Sequence, residues 1–144
     1  HILPEQIPLD ILYEDEDILV VNKPKGMVVH PSAGHYSGTL VNCTDVSLQR
    51  STLWHQWAVM RPGIVHRIDM DTTGSLIVAK MFAHQSLAEQ LKDHTITRKY
   101  HAIVHGVLKE DNGTIDAPIG RHPVERKKMS VNYKNGKHAV THYR

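Results

Sequence analysis

The chain opens with short apolar runs separated by charged or turn-forming residues. Ile11–Glu14 and residues 18–21 flank the acidic triplet Asp15-Glu16-Asp17, the pattern of two strands joined by a tight turn. Asn22-Lys23-Pro24-Lys25-Gly26 interrupts the pattern, because Pro and Gly break strands. Residues 27–29 resume strand character, and residues 31–38 read as a loop. Further on, a strand is expected to feed His66-Arg67-Ile68-Asp69 into a turn at Asp71-Thr72-Thr73-Gly74, and residues 76–79 read as a buried strand. Ala83, Leu87, Ala88 and Leu91 fall at helical spacing, which predicts an amphipathic helix over 83–93. Residues 96–108 are rich in β-branched and aromatic side chains and read as one long strand. Asn135-Gly136 lies between two segments of strand character, 129–134 and 137–143, which predicts a hairpin with a type I′ turn and positive φ at both central positions. The order of strands, helix, strands indicates an α+β fold with a mixed or largely antiparallel sheet and flanking helices.

Residues 43–60, CTDVSLQRSTLWHQWAVM, depart from this regularity. Both tryptophans of the chain lie here and the periodicity is poor. One reading is an aromatic stacking platform; a plainer one is an irregular connection. A third is a locally shifted reading frame. Trp54-His55-Gln56-Trp57 requires codons TGG CAY CAR TGG, and the same bases read one position later encode Gly, Ile or Thr, Asn or Ser, and Gly. A glycine-bearing loop suits the approach to Arg61-Pro62-Gly63 better, since loops use Gly for positive φ. Resequencing that stretch of the gene in several clones decides the matter.

Composition narrows the class. A chain of 144 residues with 40% hydrophobic and 22% charged residues is ordinary for one globular domain. The lone Cys43 excludes an internal disulfide and points to a reducing compartment. No apolar run nears the roughly 20 residues of a membrane-spanning helix. The chain begins on His1 without a signal-peptide pattern, consistent with processing or with a piece of something longer. Net charge is +2, but it is unevenly spread. Residues 5–17 hold six acids and no Lys or Arg, whereas residues 98–144 hold ten Lys/Arg against four Asp/Glu. Charge alone reads as a solvated face; a polyanionic partner is the sharper alternative.

The string from Arg61 to Lys80, RPGIVHRIDMDTTGSLIVAK, carries the candidate chemistry. A turn after a strand can present Asp69 and hold its carboxylate with backbone and hydroxyl donors, leaving it ionised as nucleophile or base. By residue type alone, Asp69 before Thr-Thr-Gly reads first as a turn residue, with catalysis the sharper alternative. HRID-x-D-T-T-G closely resembles the signature of the RluA/RluD-type RNA pseudouridine synthases. ILVVNKPKGMVVHPS, the tyrosine-bearing TRKY with Ala102, Val104 and Gly106, GTIDAPIGRHP, and HAVTHYR resemble further segments of that family in the same order. Only residues 43–60 fall outside the likeness.

The resemblance implies part of a pseudouridine synthase catalytic domain over 1–144, a bacterial enzyme of the cytoplasm that isomerises uridine in structured RNA with no cofactor and no metal. Large-subunit ribosomal RNA is favoured over transfer RNA, because GRHPVERKKM and HAVTHYR resemble the ribosomal branch. Asp69 matches the catalytic aspartate, acting at the ribose as nucleophile or base. Tyr100 matches the tyrosine that packs on the target base. Arg67 matches the arginine that fills the space an extruded uridine vacates, and His66 belongs with it on the substrate-binding loop, which it helps to shape. Arg121, Arg126, Lys127 and Lys128 are candidates for phosphate contact, with a solvated hairpin face as the alternative. Lys23, Pro24 and Gly26, with Thr72, Thr73 and Gly74, support the site.

Two positions depart from the family pattern: Met70 stands where Lys is frequent, and Ser75 where an aliphatic residue is expected. Ser75 would bring a hydroxyl into a buried strand. The family continues beyond this chain's last residue with strands carrying a Gly-Arg-Thr-His-Gln-Ile-Arg-like motif, one basic residue of which pairs with the catalytic aspartate. Many members also carry an S4-like domain ahead of the first residue. The chain therefore reads as a central piece whose activity alone is open. A non-catalytic RNA-binding piece of the same fold predicts RNA affinity without pseudouridine. A metal-dependent hydrolase is suggested by twelve histidines. His101 and His105 on a strand would lie roughly 13 Å apart, too far to share an ion.

Overall fold

The computed structural model describes residues 3–48, 63–80 and 82–144. They divide into two compact units, residues 1–98 and 99–144. In the first, β1 (Ile11–Glu14), β2 (Ile18–Lys23) and β3 (Gly74–Ala79) form an antiparallel sheet with β2 in the middle. The turn between β1 and β2 is held by one side chain: Asp15 Oδ1 accepts from the amides of Asp17 and Ile18, each at 2.8 Å. These bonds hold the Asp15 carboxyl below its ordinary pKa. The hairpin, β3 and the helix α2 (Ala83–Lys92) follow the sequence pattern closely. Ala83, Leu87, Ala88 and Leu91 are the half-buried residues of α2, as the spacing predicts.

The alternating face of β2 builds the core. Leu19 and Val21 are buried together with Leu76 and Val78 from β3, Val29 and Leu40. Lys23 continues that alternation and is also fully buried. The strand thus runs through Asn22 and Lys23 and stops at Pro24, later than the Asn-Lys-Pro break suggests.

Residues 27–29 form no strand. The carbonyls of Val28 and Val29 instead accept from the amides of Leu40 and Val41, at the start of α1 (Leu40–Leu48). Residues 43–48 therefore belong to a helix rather than to an irregular connection; residues 49–60, with both tryptophans, lie outside the described residues. Sequence periodicity misses α1 because polar Asn42 and Thr44 are buried alongside Leu40, Val41 and Cys43, so hydropathy does not mark the covered face. A cap was there to be found. Asn42 N donates to Thr39 Oγ1 and Thr39 N donates to Asn42 Oδ1, a reciprocal box at Thr-x-x-Asn spacing. Burial pushes the Cys43 thiol up to about 11, so it remains protonated and unreactive.

In the second unit, β4 (Gly113–Asp116) pairs with β7 (Val140–Tyr143), and β5 (Ile119–Arg121) pairs with β6 (Met129–Val131). Every named pairing is antiparallel, so the mixed alternative is set aside for the described residues. Residues 96–108 are not a strand. A strand needs a ladder partner, and among the described residues none pairs with this segment; Ile103 and Val107 are 104% and 96% exposed. His101 and His105 therefore do not sit on a paired strand. Among the described residues, no three His, Cys, Asp or Glu side chains gather as metal ligands.

Asn135-Gly136 does not join a hairpin either: its flanking strands pair with β5 and β4, and neither residue has positive φ. The turn spans Asn132 to Gly136, closed by Gly136 N donating to Asn132 O at 2.7 Å. Glycine is required there by close packing, since a Cβ would lie 2.3 Å from Asn132 O and 2.9 Å from the carbonyl carbon of Pro118.

Candidate active site

The segment leading to Asp69 is extended but is not a strand beyond one bridge, Ile64 to Val78. Gly63 fixes its start. Its carbonyl accepts from Ala79 N at 2.8 Å, and a Cβ at this positive-φ position would meet Ala79 O at 2.3 Å. The next β3 amide in this row, Ile77 N, donates to His66 Nε2 at 3.0 Å. An imidazole thus replaces the backbone carbonyl that a strand would offer. To accept, Nε2 must be unprotonated, which places the proton of the neutral ring on Nδ1. Burial, and the nearby charge of Arg98, lower the His66 pKa in keeping with that role. The segment's side chains alternate. Ile64 and Ile68 pack against the core, while Arg67 and Asp69 are exposed.

The turn lies earlier than the Asp-Thr-Thr-Gly string suggests. Thr72 N donates to Asp69 O at 3.1 Å, so Asp69–Met70–Asp71–Thr72 form the turn and Gly74 already begins β3. Among the described residues, no threonine hydroxyl is bonded to the Asp69 carboxylate, contrary to the sequence reading. The loop is held through the main chain of its neighbour. Met70 O accepts from Gly26 N at 2.9 Å and from Lys23 Nζ at 2.9 Å. Lys23 Nζ also donates to Pro24 O at 2.9 Å and Met27 O at 2.8 Å, so all three ammonium protons are used. Burial lowers the Lys23 pKa, and the charges of Asp71 and Asp69 oppose that shift. The Lys-Pro-x-Gly segment and the Asp69 turn are therefore one structure, joined at a single carbonyl.

Met70 presents its backbone to this joint, and its side chain is 39% exposed. Ser75 is exposed on β3, so the expected desolvation of its hydroxyl does not arise. A pocket of about 370 Å³ is lined by His30, Ile64, Val65, His66 and Arg67, from the segment that leads to Asp69. Tyr100 and the basic residues Arg121, Arg126, Lys127 and Lys128 belong to the second unit, where all five are exposed. Arg121 Nη1 donates to Arg126 O at 3.3 Å, and Lys128 is paired with Glu125. What sequence reasoning missed is the burial of Lys23, whose signal is its place in phase with Leu19 and Val21.

Residues 17–144 match the family described as RNA pseudouridylate synthase. An uncharacterized RNA pseudouridine synthase of Bacillus subtilis is 57% identical over 148 residues, covering 99% of this chain and 46% of that protein. The ribosomal large subunit pseudouridine synthase D of Zymomonas mobilis is 53% identical over 146 residues, covering 100% of this chain and 45% of that protein. The chain spans about half the length of the curated relatives it matches. Among solved structures, the human RNA pseudouridylate synthase domain containing 1 protein is similar with a TM-score of 0.64 and 27% identity, covering 94% of this chain and 51% of that one.

Proposed function

The chain belongs to the RNA pseudouridylate synthase family, and from that premise we propose that it is part of an enzyme isomerising uridine to pseudouridine in large-subunit ribosomal RNA. Asp69 acts at the ribose as nucleophile or base. The bond between uracil N1 and C1′ breaks, the base turns, and C5 bonds to the same C1′; C5 loses a proton and N1 gains one. Tyr100 packs on the uracil, Arg67 takes the place of the extruded nucleotide, and Arg121, Arg126, Lys127 and Lys128 contact phosphates. His66, Lys23, Pro24, Gly26, Thr72, Thr73 and Gly74 support the loop. A ribosomal substrate places the work in the bacterial cytoplasm. Among the described residues, no helix is long and apolar enough to cross a membrane.

The observation that carries the reading is the exposed Asp69 on a turn whose next carbonyl is gripped by a buried lysine. A carboxylate left open on a rigid backbone suits attack on a sugar brought to it. The test is a pseudouridine assay on ribosomal RNA with the full-length protein and its Asp69→Asn variant. Product formation is expected to fall on the order of 10⁴-fold or more in the variant. Equal product from both proteins removes Asp69 from the chemistry, and RNA binding without product in either supports a binding module instead.

A further inference from the structure

The second unit holds a concave site of about 630 Å³, within the roughly 300–1,000 Å³ range of small-molecule pockets. Three cations line it, Arg121, Arg126 and Lys134, together with Tyr133, Val131 and Pro123. No carboxylate lines it. Glu125, the one acid between Arg121 and Lys137, is engaged by Lys128. Tyr133 is 84% exposed, so its ring serves no core.

The site's frame is set in advance. Asn132 Oδ1 accepts from the amides of Lys134 and Asn135 at 3.1 and 3.0 Å, and Asn132 Nδ2 donates to Arg121 O at 3.0 Å. One side chain thus ties the Tyr133–Lys134 turn to the end of β5. The bond from Arg121 Nη1 to Arg126 O restrains one of the cations. Groups fixed before binding lose less freedom when a ligand arrives.

We propose that this pocket binds one unstacked nucleotide of single-stranded RNA, with the base on the Tyr133 ring and the flanking phosphates on Arg121, Arg126 and Lys134. The proposal rests on the RNA reading above and adds to it a second contact, built from Tyr133 and Lys134. An open aromatic ring beside several cations is the combination that holds single-stranded nucleic acid. The ring accepts any base face, and the cations track the backbone. An acidic peptide would use the cations but would have nothing to lay on the ring.

The test measures fluorescence anisotropy of labelled single-stranded octauridylate, and of an abasic octamer with the same phosphates, against the whole 144-residue chain. Tyr133→Ala is expected to weaken octauridylate binding about tenfold and to leave the abasic octamer within about twofold. Tyr133→Phe is expected to retain binding, since the ring remains. Arg126→Ala and Lys134→Ala are expected to weaken both oligomers, each lowering the slope of affinity against salt by about one. The proposal is overturned if Tyr133→Ala weakens both oligomers equally or neither, or if polyglutamate of the same charge competes as well as octauridylate does. Product formation is not read in this assay. Loss of the enzyme assignment would leave the binding result standing, and loss of the pocket would leave the Asp69 assay untouched.

Discussion

The two units use the same strand-forming residues to different ends. Residues 18–21, Ile-Leu-Val-Val, place Leu19 and Val21 in a core at 1% and 0% exposure. Residues 99–144 are also rich in Ile, Val, Thr and Tyr, yet Gly120 is the one buried residue among them. The difference lies in what covers each face. β2 has a neighbour on both edges and a helix, a loop and β3 residues packed over it. In the second unit each ribbon has two strands, and Ile115, Ile119, Val131 and Val140 remain open. Two-stranded ribbons are marginal alone, so local pattern specifies these strands without supplying their stability.

The largest effect should separate the units directly. Leu76→Ala removes a side chain buried against Leu19, Val21 and Leu40, and should cost about 2–5 kcal/mol in urea unfolding. Ile115→Ala, on the open face of β4, should stay within about 0.5 kcal/mol. Similar losses from the two would mean that the β4 face is covered in solution, and the contrast would fail.

Lys23→Met should follow in size. The substitution keeps an unbranched stem in the buried slot but leaves the carbonyls of Pro24 and Met27 without their ammonium partner. Pro24 is exposed and Met27 half-buried, so water meets part of the loss and the cost should fall at the low end of the roughly 1–3 kcal/mol of an unsatisfied buried acceptor. The accompanying sign is local. The amides of Gly26 and Thr72 should exchange with solvent faster than those of β2, because Met70 O has lost one of its two donors. Unchanged exchange at both amides would show that Gly26 alone secures the turn.

These expectations follow the boundary of what the chain displays. β2, β3 and α2 were legible where one face was covered and the other wet, as at the half-buried Leu87 and Leu91 beside the exposed Gln85 and Glu89. α1 was not, because polar Asn42 and Thr44 are buried beside Leu40, Val41 and Cys43, so no contrast of apolar and polar positions marks a covered face, and only its Thr39–Asn42 cap betrayed it. The long strand over 96–108 was over-read for the reverse reason: composition states a preference, whereas a ladder requires a partner. Asn135-Gly136 misled because glycine was needed for close approach, which looks the same in sequence as a need for positive φ. The candidate site was legible as a set of motifs. Its joint at Met70 O was not, since a backbone carbonyl carries no signature of its donors.

A smaller effect concerns His66 and pH. Its folded-state pKa is lowered below the ordinary value of 6.5 by burial and by Arg98. The unfolded chain therefore takes up the proton first as pH falls. The stability tied to neutral His66 is present above about pH 6.5 and is lost as pH falls through the lowered folded value. Protonation converts Nε2 from acceptor to donor and breaks the bond from Ile77 N. Amide exchange at Ile77 should accelerate over that window, with Val78 and β2 less affected. A flat protection profile at Ile77 across the folded-state titration of His66, followed by NMR, would remove His66 as the link between this segment and β3.

The smallest effect is expected at Met70, and its smallness is informative. The turn uses this residue's carbonyl, bound by Lys23 and Gly26, while the side chain is 39% exposed. Met70→Lys should therefore change stability by no more than about 0.5 kcal/mol, as for other surface positions away from caps and cores. The new ammonium would stand beside Asp69 and Asp71, in the unit whose rigidity comes from burial rather than from charge. Its influence should appear in RNA affinity, with the salt slope steeper by at most about one, if it reaches a phosphate. A loss of several kcal/mol would show that the methionine side chain, and not the backbone joint alone, holds the turn. The division between a main chain that builds the site and side chains that face solvent would then have to be redrawn at this residue.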